Sequence, residues 1–341
     1  MDRHDRPFPQ PFEQRTTRHD RHCCVVTGAA GFIGSRLVTR LLREGWSVVG
    51  IDGFTDSYDP AEKRARAASL SRIGGFTMVT GDLADMELEP CFDGAEVVFH
   101  LAGRAGVRAS FDIEPRYVHD NVVATEAVLS AARAAGVRRV VYASSSSVYG
   151  NGPTPFREEA RPEPISPYGR TKLEAERMCL EAADVVLETV ALRYFTVYGP
   201  GQRPDMGLRI FAEAALGGRP LTLFGNGTQR RDFTYVDDVV AATISAADAH
   251  ASGLAVNVGG GSSVTLLQVL DLLRRLVARD VRVQMLPVAR GDVHATEADA
   301  TRAAALLQFR PEVAFEAGFR AEVAWVRDRR ESAELEEARS A

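Results

Sequence analysis

The chain of 341 residues has a net charge of -5 and is 45% hydrophobic, enough apolar material for one large domain or two smaller ones. This balance excludes the broad cationic surface that nucleic acid or an anionic membrane selects, and no apolar run approaches the roughly 20 residues of a membrane helix. Small-molecule partners and a cytoplasmic location are expected, since the segment Met1 to His22 also lacks the apolar stretch of a signal peptide.

Residues 1–21, polar and without apolar periodicity, read as a flexible arm. From Cys23 short apolar runs alternate with helical patterns: CCVVT, SVVGID, FTMVTGD, AEVVFHLAG and RRVVYASSS are strand-like, and FIGSRLVTRLLREG is helical. Continuous apolar strands separated by amphipathic helices predict an α/β fold, a Rossmann-type doubly wound parallel sheet covered on both faces. Cys23, Cys24, Cys91 and Cys179 show neither metal-ligand nor disulfide spacing and read as buried small hydrophobes; no metal site is expected.

Between the first strand and first helix lies TGAAGFIG, Thr27 to Gly34. Gly28, Gly31 and Gly34 allow a tight turn, close approach of a pyrophosphate and close helix–strand packing, while the helix N-terminus donates to phosphates. The spacing is GxxGxxG, and a glycine triplet alone is often only a turn; its place between strand and helix points to a dinucleotide. Asp52, at the end of the second strand, is positioned to accept from adenosine ribose hydroxyls and to repel a 2′-phosphate, which favours NAD over NADP, although it could simply serve the turn before Gly53. Asp82, after the third strand, could meet the adenine or cap the following turn.

Apolar periodicity predicts one long helix from Pro115 to Ala135 and another from Pro167 to Ala183. The second opens on Tyr168 and Lys172, four apart and so on one face. An ammonium beside a phenol favours the phenolate, so Tyr168 could act as a general base toward a substrate hydroxyl. Such pairs also arise by chance, but this chain has only two lysines, Lys63 and Lys172, among 41 basic residues. A lysine here suits a task that needs a compact charge with rotatable donors. Ser145, in the preceding strand end YASSSSVYG, could hydrogen-bond the reacting hydroxyl.

A further strand-like run, Val190–Arg193, is followed by Gly- and Pro-rich loops, and strand and helix patterns return around Tyr235–Ala247 and Ala255–Val258. Two interleaved lobes are therefore expected: a dinucleotide-binding domain of 22–194 plus about 233–258, and a smaller α/β substrate-binding lobe of 195–232 plus 259–326, with 327–341 as a frayed helix or tail.

These motifs resemble the extended short-chain dehydrogenase/reductase family of NAD-dependent sugar-nucleotide epimerases and dehydratases across roughly residues 23–325. TGAAGFIG, HLAG at 100–103, SSSSVYG at 144–150, SPYGRTK at 166–172, RYFTVYGP at 193–200 and RRDFTYVDD at 230–238 occur in family order. The resemblance implies Ser145, Tyr168 and Lys172 as catalytic residues, with Lys172 also on the nicotinamide ribose. It implies that Phe32, Ile33, Leu83, Leu101, Ala102 and Asn121 border NAD beside the glycines, Asp52 and Asp82. Arg231, Arg290 and Asp292 are implied for the nucleotide's diphosphate and ribose, and a homodimer through the two long helices.

Within that family, dehydratases typically carry Asp-Glu after the serine, and glucuronate decarboxylases a Glu two places before the VYG tyrosine; this chain has Ser146 and Ser147. The stretch RYFTVYGPGQRPDM, Arg193 to Met206, resembles UDP-glucuronate 4-epimerases more than UDP-glucose 4-epimerases, which usually place Asn where Thr196 stands. Ser146, Ser147, Thr196 and Arg203 are then expected around the sugar carboxylate, held by charge-assisted hydrogen bonds. One departure is HLAGRAGVR where relatives commonly read HLAAQAGVR. The expected activity is 4-epimerisation of a UDP-hexuronic acid through a 4-keto intermediate. The alternatives are a 4-epimerase of neutral UDP-sugars, a UDP-glucuronate decarboxylase, or an NAD-binding regulator without catalysis.

Overall fold

A computed structural model describes residues 22–261 and 263–340, and the expected arm, residues 1–21, lies outside the described residues. The strands in chain order are β1 (Cys23–Thr27), β2 (Ser47–Asp52), β3 (Phe76–Thr80), β4 (Val97–His100), β5 (Arg139–Ser145), β6 (Glu188–Tyr194), β7 (Thr196–Tyr198), β8 (Leu221–Phe224), β9 (Arg230–Tyr235), β10 (Leu254–Val258), β11 (Ser263–Thr265) and β12 (Val283–Leu286). The helices are α1 (Phe32–Arg43), α2 (Pro60–Leu70), α3 (Glu89–Phe92), α4 (Glu114–Val118), α5 (Ala124–Ala134), α6 (Pro167–Glu181), α7 (Gly207–Leu216), α8 (Val236–Ser245), α9 (Leu266–Val277), α10 (Thr301–Leu307) and α11 (Phe315–Ser340).

The apolar runs read from the sequence form one parallel sheet, in the order β10-β6-β5-β4-β1-β2-β3. Strands buried on both faces have no use for polar alternation, which is why they read as unbroken apolar stretches. On one face Leu37, Val38 and Leu41 of α1 and Val236, Val239 and Val240 of α8 pack on Val26, Phe99 and Val141. On the other, Val128 and Leu129 of α5 and Ala175 and Cys179 of α6 pack on Val25, Val98 and Val140. Cys24 and Cys179 are buried as expected, whereas Cys23 and Cys91 are only half-buried.

A second core joins α7, α9 and α11 to small sheets, β11-β9-β7 and β12-β8, through Leu208, Phe211, Leu223, Leu273 and Phe319. The segment after residue 259 feeds both cores, because Ala303 and Leu307 of α10 pack with the large sheet.

One helix expectation is corrected. The single helix drawn from Pro115 to Ala135 is α4 and α5 joined by a π turn, His119–Val123. The wider turn brings the buried Asn121 against the loop after β4, where its side chain pairs with the backbone of Arg104 in both directions. Beyond Arg327, where the sequence reads as a frayed helix or tail, α11 continues through Ser340. Its Ala, Glu and Arg residues are strong helix formers, and Arg329 ties it back to Glu62 of α2 at 3.1 Å.

Candidate active site

A cavity of about 450 Å³ opens at the carboxyl ends of the strands, where the strand order reverses between β1 and β4. Gly28, Gly31, Phe32, Ile33 and Gly34 form one wall. Gly28 has a φ of +70°, and a Cβ on Gly34 would fall 2.1 Å from the Gly28 carbonyl oxygen, so the turn and its packing on α1 require glycine at both. No side chain caps the first turn of α1, which leaves that helix end to a phosphate.

Asp52 closes this half. Its Oδ2 accepts from Ala30 N at 3.1 Å and its Oδ1 from Phe54 N at 2.8 Å, so one carboxylate ties the glycine turn to the end of β2. Asp82 lines the cavity and also accepts from Ala84 N at 3.1 Å, which makes it a turn cap as well. Leu83, Leu101 and Ala102 line the cavity too. Sterically bare glycines, an open helix N-terminus and a placed carboxylate fit a dinucleotide.

The opposite half is set by α6. Ser166 caps its N-terminus, accepting from Gly169 N at 3.1 Å, and Pro167 begins the helix, so Tyr168 and Lys172 stand one turn apart on the cavity wall. Tyr168 shares the cavity wall with Ser145 and meets Tyr117 edge-on, with ring centres 6.2 Å apart. Burial raises the Tyr168 phenol above its usual range, while the Ser145 hydrogen bond and the charge of Arg203 act against that rise. Burial lowers Lys172 to about 7, opposed by the charge of Glu176, and its Nζ lies 4.2 Å from the Tyr142 ring centre. The charge of Arg203 also favours the phenolate, a relation that four-residue spacing did not suggest.

Ser146, Ser147, Thr196 and Arg203 share the cavity with this pair. Arg203 Nε donates to Asp205 Oδ1 at 3.0 Å, and its Nη2 donates to the other Asp205 oxygen and to Ala105 O. Burial opposes the charge of Arg203, but the bonds and charge of Asp205 raise its pKa.

Four expected residues lie beyond the cavity wall. Arg231 meets Asp292 at 3.5 Å, and Arg290 stacks on Phe111, 4.1 Å from its ring centre. Gly291 between them sits against Val107, a cavity residue, so the group borders one end of the cavity. Asn121 stands behind the loop after β4 rather than in the wall, held to Arg104 and to Thr171 Oγ1.

Sequence reasoning missed Lys63, Tyr58, Asp205 and Arg108. Lys63 lines the cavity 3.4 Å from Asp52, and the lysine scarcity that singled out Lys172 applied equally to it. Tyr58 and Asp205 flank Arg203, and Arg108 stacks over Phe224 while facing Asp292. Nothing in their local sequence marks them, because each is defined by a partner distant in the chain or by loop geometry.

A family model described as the NAD dependent epimerase/dehydratase family matches residues 24–259. The chain belongs to that family. NAD is its cofactor class, in keeping with the glycine turn and Asp52. Within the family, the chain is 36% identical over 310 residues to a UDP-glucuronate 4-epimerase of Thermodesulfobacterium geofontis, covering 89% of this chain and 96% of the relative. It superimposes on the UDP-glucuronic acid 4-epimerase of Bacillus cereus, solved with UDP-glucuronic acid and NAD, with a TM-score of 0.87 and 35% identity, covering 90% of this chain and 99% of that one. A TM-score of 0.82 and 40% identity, with the same coverage, relate it to MoeE5 in complex with UDP-glucose and NAD. Among the described residues, no helix is long and apolar enough to cross a membrane.

Proposed function

We propose that the protein interconverts UDP-glucuronate and UDP-galacturonate by epimerisation at carbon 4, with NAD kept in the cleft between turnovers. The observation that carries this reading is the guanidinium of Arg203, its side chain 14% exposed, in one cavity with Tyr168 and with the hydroxyls of Ser146, Ser147 and Thr196. No carboxylate stands at 146 or 147 to eliminate water.

Bound NAD would accept and return hydride at its nicotinamide. Tyr168 takes the proton of the carbon-4 hydroxyl and returns it after the ring has turned over, with Ser145 as its hydrogen-bond partner. Lys172 holds the nicotinamide ribose and adjusts the charge near Tyr168. Gly28 to Gly34 hold the pyrophosphate, Asp52 the adenosine ribose and Asp82 the adenine. Oxidation at carbon 4 makes the uronic acid a β-keto acid, prone to lose carbon dioxide. Arg203 and the three hydroxyls restrain its carboxylate by charge-assisted hydrogen bonds. Arg231, Arg290 and Asp292 hold the nucleotide's diphosphate and ribose. The lobe of residues 22–194 plus about 233–258 serves NAD, and the remainder of the described chain serves the sugar nucleotide.

Ile113, Val118, Val123 and Ile165 are exposed along α4, the π turn and the approach to α6, which supports a homodimer formed through these helices. The free thiols of Cys24, Cys91 and Cys179 suit a reducing, cytoplasmic setting.

A second reading, 4-epimerisation of neutral UDP-sugars, is favoured by Asp205, which already balances the charge of Arg203. Purified protein incubated with UDP-glucuronate and no added NAD, with products followed by proton NMR and mass spectrometry, tests both. UDP-galacturonate at unchanged mass supports the uronate reading. Inert UDP-glucuronate beside converted UDP-glucose refutes it, and a pentose product indicates decarboxylation. Arg203→Ala lowers kcat/KM about 10- to 100-fold more for the uronate than for neutral UDP-sugars, from the usual strength of hydrogen bonds to a charge.

A further inference from the structure

The departure Gly103-Arg104 has a structural role that the proposed reaction leaves unexplained. Arg104 sits on the loop after β4. Its N–H donates to Asn121 Oδ1 at 2.7 Å, and its carbonyl accepts from Asn121 Nδ2 at 3.1 Å. A Cβ on Gly103 would stand 2.7 Å from the same Asn121 oxygen, so this grip on Arg104 needs glycine before it.

So anchored, the Arg104 side chain, only 6% exposed, donates through Nε to Asp120 at 2.7 Å and through Nη2 to Asp56 at 3.2 Å. Asp120 belongs to the π turn, on the same side of the cleft. Asp56 belongs to the loop after β2, whose Gly53, Thr55, Ser57 and Tyr58 line the cavity. In the sheet β1 lies between β2 and β4, and the glycine turn follows β1. A contact between the loops after β2 and β4 therefore spans the crevice that the glycine turn floors. Arg104 also lines the cavity, and its Nη1 has no hydrogen-bond partner among the described residues, which leaves a donor for an oxygen of whatever lies there.

We propose that Arg104 and Asp56 form a clasp across the dinucleotide cleft and slow the escape of the cofactor. Arg104 is the cofactor-retaining residue, and Asp56 acts through it. A glutamine at 104 would have no charge with which to hold Asp56. The inference needs only the family's NAD dependence, not the choice of sugar.

The test is the release rate of NADH from the intact protein, without any sugar nucleotide. NADH fluorescence is followed after mixing with excess NAD, for wild type, Asp56→Asn, Arg104→Gln and the double variant. Asp56→Asn is expected to speed release about threefold, as suits an ion pair with one exposed partner. Arg104→Gln should speed it about tenfold, because the free donor is lost too. The double variant should be no faster than Arg104→Gln, since both changes remove one shared contact. Raising the salt should speed release from wild type more than from Asp56→Asn. Wild-type release from Asp56→Asn at low salt, or single effects that multiply in the double variant, would overturn the proposal. The Asp56 side chain is 83% exposed, so its substitution leaves the fold intact and decides the matter even if Arg104→Gln does not fold.

Discussion

His100 ends β4 and joins three elements beneath the glycine turn. Its Nδ1 pairs with Thr27 Oγ1 at 2.8 Å and its Nε2 with Thr125 Oγ1 at 2.9 Å, and Thr27 in turn accepts from Ala102 N. Burial, with a smaller contribution from the charge of Lys172, lowers its pKa from 6.5 to about 3. Between these values the unfolded chain binds a proton that the folded chain excludes, so stability rises with pH across the window and is lost as pH falls through it. At about 1.4 kcal/mol for each pH unit, the gap amounts to about 5 kcal/mol at its acid end, and to about 3 kcal/mol between neutrality and about pH 4.5. Urea unfolding followed by circular dichroism over this range, for wild type and His100→Gln, measures the effect. The variant should be less stable at neutral pH, having lost part of the bridge, but flatter with pH by about that amount. Parallel curves would refute the reasoning, because other titrating groups contribute equally to both proteins.

Tyr168→Phe should lower kcat by about 10² to 10⁴ while leaving bound NAD in place, read by product NMR and by the cofactor content of the purified protein. Gly34→Ala should abolish NAD binding in titration calorimetry, since its Cβ would meet the Gly28 carbonyl at 2.1 Å. Glu322 accepts from Gly199 N at 2.9 Å, and burial raises its pKa from 4.5 to about 8. The folded chain there holds a proton that the unfolded chain gives up, so stability falls as pH rises through that window. Glu322→Gln should remove the fall, seen as a Tm advantage over wild type that grows from about pH 6 to about pH 9.

Much of this site was legible because its parts are local. A glycine turn between strand and helix, a carboxylate at a strand end, and Tyr168 with Lys172 one helical turn apart all follow from backbone geometry that short segments dictate. Arg203 was found through a motif, but its pairing with Asp205 and its influence on Tyr168 depend on where the loop after β7 lands. The π turn at Asn121 was invisible because Val118, Val122, Ala127 and Leu129 keep an apolar rhythm that one extra residue barely disturbs. Lys63 was overlooked although composition marked it, because its partner Asp52 belongs to another element. Arg231, Arg290 and Asp292 came from resemblance, and only the fold shows that they border one end of the cavity.

The seventh strand of the large sheet, β10, ends at Val258, long after its neighbour β6 ends at Tyr194. During synthesis, six strands leave the ribosome while the outer edge of β6 has nothing to pair with. Its apolar residues Val190, Ala191 and Leu192 are a ready template for another chain until the intervening 59 residues have been made. A fragment cut after β6, at Tyr194, would keep the nucleotide turn and Tyr168 yet carry that open edge permanently. Such a fragment should therefore aggregate rather than serve as a small stand-alone binder, and any division of this protein for engineering has to keep residues 188–258 together.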